Sequence, residues 1–117
     1  MTYVNGAVLA VKDSDKETYR KMATEMGALF KKHGALHVFE NWGSDIPDGE
    51  TTSFPKAVKA EAGESVVFSF IVWPSKAARE AGMKALMSDP AVLDLDTDRP
   101  FDISRMMHGG FETIVEL

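Results

Sequence analysis

The stretch "SVVFSFIVW", residues 65–73, decides the fold. Successive side chains of a strand point to opposite faces. Here Val66, Phe68, Phe70 and Val72 fall on one face, and Val67, Ile71 and Trp73 on the other. A strand that is apolar on both faces is covered on both, so it belongs inside a sheet and not at its edge. Upstream, the turn residues "EAGE" (61–64) bring the chain into this strand. Downstream, Ser75 stands as the N-cap of a helix, "SKAAREAGMKALMSD" (75–89). Its inner stripe reads Ala78, Ala81, Gly82, Ala85 and Leu86, residues small enough to let a helix come close to a sheet.

The same reading extends to both ends. Asp89 and Pro90 have the form of an N-cap and first position for a further short turn, "PAVLDL". "DTDRPFDIS" is a loop, and "RMMHGGFETIVEL" (105–117) alternates as a last strand. "TYVNGAVLAVK" (2–12) is the first strand and "ALHVFENW" (35–42) the second. Between these two, Tyr19, Met22, Ala23, Met26, Phe30 and His33 recur at steps of three and four and predict a helix. Ser14 and Glu17 have the spacing of a capping box at its start, and Gly34 suits its C-terminal end. Residues 43–64 are rich in turn formers, with a short extended piece expected at "SFPKAVK" (53–59).

The order is strand, helix, strand, strand, helix, strand. It predicts an α+β, ferredoxin-like βαββαβ fold in one domain over residues 1–117, a four-stranded antiparallel sheet with two helices on one face. Two helices cover one face only. The chain has no further element large enough for the other, so a second copy is expected to cover it by an isologous contact, giving a homodimer.

Bulk composition narrows the function classes. Hydrophobic residues make up 44% of the 117, enough for a core, but no apolar run approaches the roughly 18 residues of a membrane span. "MTYVNGAVLAVKD" has no basic residue before its apolar stretch and does not read as a signal peptide. The absence of cysteine removes disulfides, thiolate metal sites and a cysteine nucleophile, and suits a cytoplasmic protein. A net charge of −5 argues against nucleic acid and anionic membrane as partners. An RNA-recognition module has the same element order, but "SVVFSFIVW" lacks the basic residue and glycine that its third strand requires.

"YVNG" (3–6), "SFPKAVK" (53–59), "GESVVFSFIVW" (63–73), "MSDP" (87–90) and "RPFDISRMMHGGFE" (99–112) together resemble the DUF1428 family, small bacterial proteins of uncharacterised function. The resemblance covers nearly the whole chain. It implies a ferredoxin-like fold of the dimeric α/β-barrel type and no established chemistry. In that family the position of His108 is commonly aromatic, so the imidazole is a departure from the pattern. Asn5 on strand 1 and Trp73 at the end of strand 3 are also similar to residues of the haem-degrading branch of dimeric α/β barrels. That branch needs a histidine on the next helix. Residues 75–89 contain none, so no cofactor is expected.

Three candidates for catalysis emerge, Asn5, Arg105 and His108, and four for holding a substrate, Trp42, Phe54, Trp73 and Glu112. His108 and Glu112 share a strand face but stand about 13 Å apart, so only a shared ligand bridges them. Gly109 and Gly110 between them read either as a bulge that curves an edge strand or as a place of close approach, and the bulge is the expectation. No metal site is expected. His33 and His37 have H-x₃-H spacing, but Gly34 breaks the helix between them. Asp94, Asp96 and Asp98 match the start of a calcium loop, which then fails at Arg99 and Arg105. Ser69 has neither a nucleophile elbow nor a visible histidine partner. The leading expectation is a homodimer that binds a small molecule. The alternatives are a cofactor-independent oxygenase or isomerase, and a structural or regulatory dimer without a ligand.

Overall fold

A computed structural model describes residues 1–93, 95 and 99–117. The elements run β1 (Tyr3–Lys12), α1 (Lys16–Lys32), β2 (His37–Trp42), α2 (Phe54–Ala57), β3 (Glu64–Trp73), α3 (Lys76–Met87), α4 (Pro90–Leu93) and β4 (Met107–Glu112). The strands form one antiparallel sheet in the order β2-β3-β1-β4. The two-sided strand β3 is internal, as its sequence demands. The acidic turn at 94, 96 and 98 lies outside the described residues.

Register assigns the faces. Tyr3 lies opposite Trp73, Asn5 opposite Ile71 and Leu9 opposite Val67, so these side chains share one face. That face meets the helices. Leu9, Val11 and Val67 pack with Tyr19 and Ala23 of α1, and Tyr3 and Trp73 pack with Ala35, Phe30 and Met83. Trp73 is fully buried. Gly82 permits this, because a Cβ there would stand 2.4 Å from the indole.

The inner stripe of α3 differs from expectation. Ala81 and Ala85 are exposed, while Ala78, Arg79, Gly82, Met83 and Leu86 face inward. Alanine is neutral between core and solvent, and counting small residues rotated the predicted face by about one position. α1 differs at its start. A 3-10 turn over Asp13–Asp15 precedes it, and no side-chain cap forms, so Ser14 and Glu17 do not make the expected box. Its end agrees with the sequence reading: Gly34 takes φ +111°, the left-handed conformation that suits glycine. There Lys32 Nζ and His33 Nε2 approach the buried Asp89 carboxylate at 2.9 and 2.7 Å, and Asp89 also caps α4 through the Ala91 N–H. The Lys32 hydrogen bond, then those of His33 and the Ala91 N–H, hold this carboxyl well below the usual carboxylate range.

The opposite sheet face carries Val4, Val8, Val66, Phe68, Phe70, Val72, Met107 and Phe111. Among the described residues one end of it is covered, where the fully buried Val58 and the partly buried Ala60 pack on Val8, Ala10 and Val66. This cover is the "SFPKAVK" segment, which is helical and not extended. Ser53 accepts the Lys56 N–H as N-cap, and Pro55 sits in the first turn, where a missing N–H costs nothing. The last strand is also shorter than expected. Residues 103–105 form a 3-10 turn, and residues 113–117 lie outside the sheet.

Candidate functional site

On the helix-facing side, Asn5 projects from β1 between Ile71 and Gly110. Among the described residues its Oδ1 is buried without a hydrogen-bond partner, and so are Trp73 Nε1 and Arg79 Nε. All three residues gather around Tyr3. Trp73 is its cross-strand partner, and Asn5 is the next residue along the same face. Arg79 lies over the Tyr3 ring, 4.9 Å from its centroid, and its Nη2 donates to the Tyr3 hydroxyl at 3.2 Å. Among the described residues this guanidinium has no carboxylate partner.

Gly110 belongs to the same arrangement. A Cβ there would meet the Tyr3 hydroxyl at 2.3 Å, so the glycine lets the phenol lie across β4. At Gly109, on the other face, a Cβ would make only ordinary contact with the Phe111 ring, at 3.6 Å. The expected bulge is not there: β1 and β4 pair without interruption from Tyr3–Glu112 to Val8–Met107. Of the pair, Gly110 alone marks a close approach, on the helix-facing side of the strand.

The remaining candidates are dispersed. His108 and Glu112 flank Gly110 on the helix-facing parity, both exposed. Trp42 stands at the far edge of the sheet, with Lys16 Nζ 5.2 Å above its ring. It lines a groove of about 530 Å³ between α1 and β2, together with Tyr19, Gly27, Val38 and Glu40. In this groove Glu40 accepts hydrogen bonds from Tyr19 Oη at 2.7 Å and Ser69 Oγ at 2.8 Å. Burial, reinforced by the Glu40 carboxylate, pushes the Tyr19 hydroxyl above its ordinary range. Ser69 thus serves as a donor to a carboxylate. Phe54 is on the opposite sheet face, edge-on to Phe68 at 6.3 Å.

Arg105 is a latch. Its guanidinium grips Glu64 with two bonds, at 2.8 and 2.9 Å, and reaches Asp102 at 3.2 Å and the Lys59 carbonyl at 2.9 Å. The Arg105 hydrogen bond is the main cause that lowers the Glu64 carboxyl to about 2. A carboxyl depressed in the folded state adds stability above its unfolded value and loses it as pH falls through the folded one. The melting temperature should therefore decline between about pH 4.5 and 2. Glu64→Gln should lower it at pH 7 and flatten that part of the profile. An unchanged acid limb in Glu64→Gln melts would refute this role.

The structure thus brings Asn5 and Trp73 together, sets His108 and Glu112 at one strand edge, and sends Trp42, Phe54 and Arg105 elsewhere. Sequence reasoning missed Tyr3 and Arg79. The spacing of 79, 82, 83 and 86 on one helical stripe was the available signal for Arg79.

The family profile described as protein of unknown function, DUF1428, matches residues 2–103. The uncharacterized protein YbaA of Escherichia coli K12 is 49% identical over 116 residues, 99% of each chain, and the YbaA of Shigella flexneri matches equally. Among solved structures, a variant of SnoaB, a cofactor-independent oxygenase from Streptomyces nogalater, is similar at TM-score 0.57 and 14% identity, covering 99% of this chain and 96% of its own. A Bacillus cereus protein provisionally described as an antibiotic biosynthesis monooxygenase has TM-score 0.60 and 13% identity over 100% and 95%. A dimeric ferredoxin-like protein from an uncultured marine organism has TM-score 0.60 and 14% identity over the full length of both chains. At such identities the likeness concerns the fold, and the ferredoxin-like expectation agrees with it. No helix of the described residues is long and apolar enough to cross a membrane.

Proposed function

The chain belongs to the DUF1428 family, and from that premise we propose that it is a homodimer that binds a small aromatic or conjugated molecule bearing an acidic oxygen, between α3 and the sheet. The observation that carries this reading is the set of three buried atoms around Tyr3 that have no partner among the described residues: Asn5 Oδ1, Trp73 Nε1 and Arg79 Nε. A buried polar group left unpaired costs about 1–3 kcal/mol. Three of them in one neighbourhood favour a guest that pairs them. Arg79 offers a cation to an anionic oxygen, the indole N–H is a second donor, and Asn5 accepts from a hydroxyl. Tyr3, Phe30 and Trp73 supply aromatic surface, with Phe30 edge-on to Trp73 at 6.3 Å.

The homodimer half of the reading rests on the open sheet face. Phe39, Phe68, Met107 and Phe111 are exposed there side by side, an apolar patch of the kind that marks an interface. Similarity to a structure described as dimeric supports it.

A second reading, a cofactor-independent oxygenase, is favoured by Arg79, which has no carboxylate partner among the described residues, and by the fold shared with SnoaB. Such chemistry requires a substrate held as its anion. A cation beside the phenolate or enolate oxygen favours that form, and this reading assigns the proton to His108, two residues from Gly110 on the same face of β4.

Thermal melts against a panel of phenols, enols and hydroxylated aromatic acids test the binding. A ligand at 100 times its dissociation constant adds about 2.7 kcal/mol to the stability of the native state. At least one such compound should raise the melting temperature of the natural chain and fail to do so in Arg79→Met. Dioxygen uptake with the same compound separates enzyme from binder. If no compound shifts the melt, or Arg79→Met shifts equally, the site is not this one.

A further inference from the structure

Glu40 brings a carboxylate into the groove between α1 and β2. Its cross-strand neighbour is Ser69 of β3, and Tyr19 reaches it from α1. One carboxylate oxygen accepts from Tyr19 Oη at 2.7 Å and the other from Ser69 Oγ at 2.8 Å. The two hydroxyls fix the orientation of the group. A carboxylate has about four acceptor sites, so about two remain.

Cations stand on the same walls, Lys16, Arg20 and Lys31 of α1. Among the described residues none of them forms an ion pair with Glu40. Lys16 lies over the Trp42 ring at 5.2 Å, Arg20 approaches Glu17 at 3.6 Å, and Lys31 donates to the Leu36 carbonyl at 2.8 Å. The Arg20–Glu17 contact is exposed on both sides, and such pairs are weak enough to yield to a ligand. The groove therefore keeps charges of both signs that do not neutralise each other. Its remaining lining includes the apolar Ala23, Gly27, Val38 and Val67. Its volume of about 530 Å³ is that of a small-molecule site.

This distribution selects among ligands. A plain amine would meet Glu40 but face three cations. A plain carboxylate or a phosphate would meet the cations but face Glu40. A molecule with an ammonium and a carboxylate on one apolar body satisfies both. We propose that the groove between α1 and β2 binds a small apolar α-amino acid, its ammonium donating to Glu40, its carboxylate held by Lys16, Arg20 or Lys31, and its side chain on Ala23, Gly27 and Val38. The site is separate from the one around Tyr3, and its occupancy does not depend on a guest there.

The two tryptophans tell the sites apart. Trp42 lines this groove, and Trp73 belongs to the Tyr3 cluster. Leucine, valine, methionine and phenylalanine are titrated into the natural chain while both indole N–H resonances are followed, with Trp42→Phe to assign them. At least one of these amino acids should move the Trp42 resonance and leave that of Trp73, with a dissociation constant below about 1 mM. Its decarboxylated amine and its deaminated acid (isoamylamine and isocaproate for leucine) should each bind roughly tenfold more weakly or worse. Glu40→Gln keeps an oxygen acceptor for the two hydroxyls. It should weaken the amino acid by roughly tenfold or more and leave the deaminated acid unaffected, a split that a merely structural role of Glu40 would not give. Thr24→Trp, on the exposed part of the lining, should block the groove with every charge in place. If none of these amino acids moves Trp42, if the amine binds as tightly as the amino acid, or if Glu40→Gln binds it as the natural chain does, the groove is not an amino-acid site. A shift of Trp73 alone would put the amino acid beside Tyr3 and overturn the assignment as well.

Discussion

Phe70→Asp should leave the chain a single subunit at concentrations where the natural chain sediments as a pair. Phe70 stands on an internal strand in the middle of the open sheet face, 4.8 Å from the Phe39 ring and 5.5 Å from the Phe68 ring. Central aromatic residues of an interface cost about 2–4 kcal/mol when truncated. Aspartate adds a charge to an apolar seam, so at least about 3 kcal/mol is expected, more than a hundredfold in the dissociation constant. The single subunit should survive the change, because Phe70 is only half-buried within it. Circular dichroism melts should stay cooperative. Phe54→Asp, at the rim of the same face and 46% exposed, should weaken the pair by less than tenfold. A Phe70→Asp protein with the natural dissociation constant would mean that the seam lies on another surface.

Most of the fold was legible because one strand carried an unambiguous pattern. The two parities of residues 66–73 placed β3 inside the sheet before any register was available, and the element order did the rest. Which face met the helices was not legible. Val, Ile and Phe bury equally well against a helix or a second sheet, and only the pairing of Leu9 with Val67 and the packing of Tyr19 on both decide it. Local polar signals misled where two outcomes satisfy the same backbone groups. Ser14 and Glu17 have the right spacing for a box, yet the chain enters α1 through a 3-10 turn that meets the need otherwise. "SFPKAVK" contains a proline that reads as an extended breaker, and Ser53 turns it into the first turn of a helix.

The candidate site was half legible for a related reason. Asn5 and Trp73 stood out as polar or amphipathic groups on apolar strands, and they lie together. Arg105 stood out equally, but its partner Glu64 is 41 residues away and only the fold joins them. Tyr3 and Arg79 looked ordinary. Their meaning depends on Gly110, which removes the side chain that would otherwise occupy the space of the phenol.

Gly82→Ala should destabilise the fold by about 2 kcal/mol, against the trend of helix propensity. Alanine in a helix interior is favoured over glycine by up to about 1 kcal/mol. Here the new Cβ would stand 2.4 Å from Trp73 Cζ3, 2.8 Å from the next ring carbon and 2.7 Å from the His33 carbonyl oxygen. The carbonyl belongs to the backbone at the end of α1 and does not swing aside. The indole is wholly buried, with Phe30 against it. Overpacking a core in this way costs roughly 1–3 kcal/mol, and two unyielding neighbours place this case at the upper end. After the propensity gain, a melting temperature lower by roughly 8 °C is expected. Trp73→Phe should relieve the ring contact and leave the carbonyl one. In a double-mutant cycle the pair should then couple favourably by about 0.5–1 kcal/mol without full rescue. Arg79 lies one turn before Gly82 on the same inner stripe, so lifting α3 also lifts the guanidinium from Tyr3. A compound that stabilises the natural chain through Arg79 should therefore bind Gly82→Ala at least tenfold more weakly, while Ala81→Ser, on the exposed side of the helix, should bind it unchanged. Equal binding by Gly82→Ala would show that the ligand does not sit between α3 and the sheet.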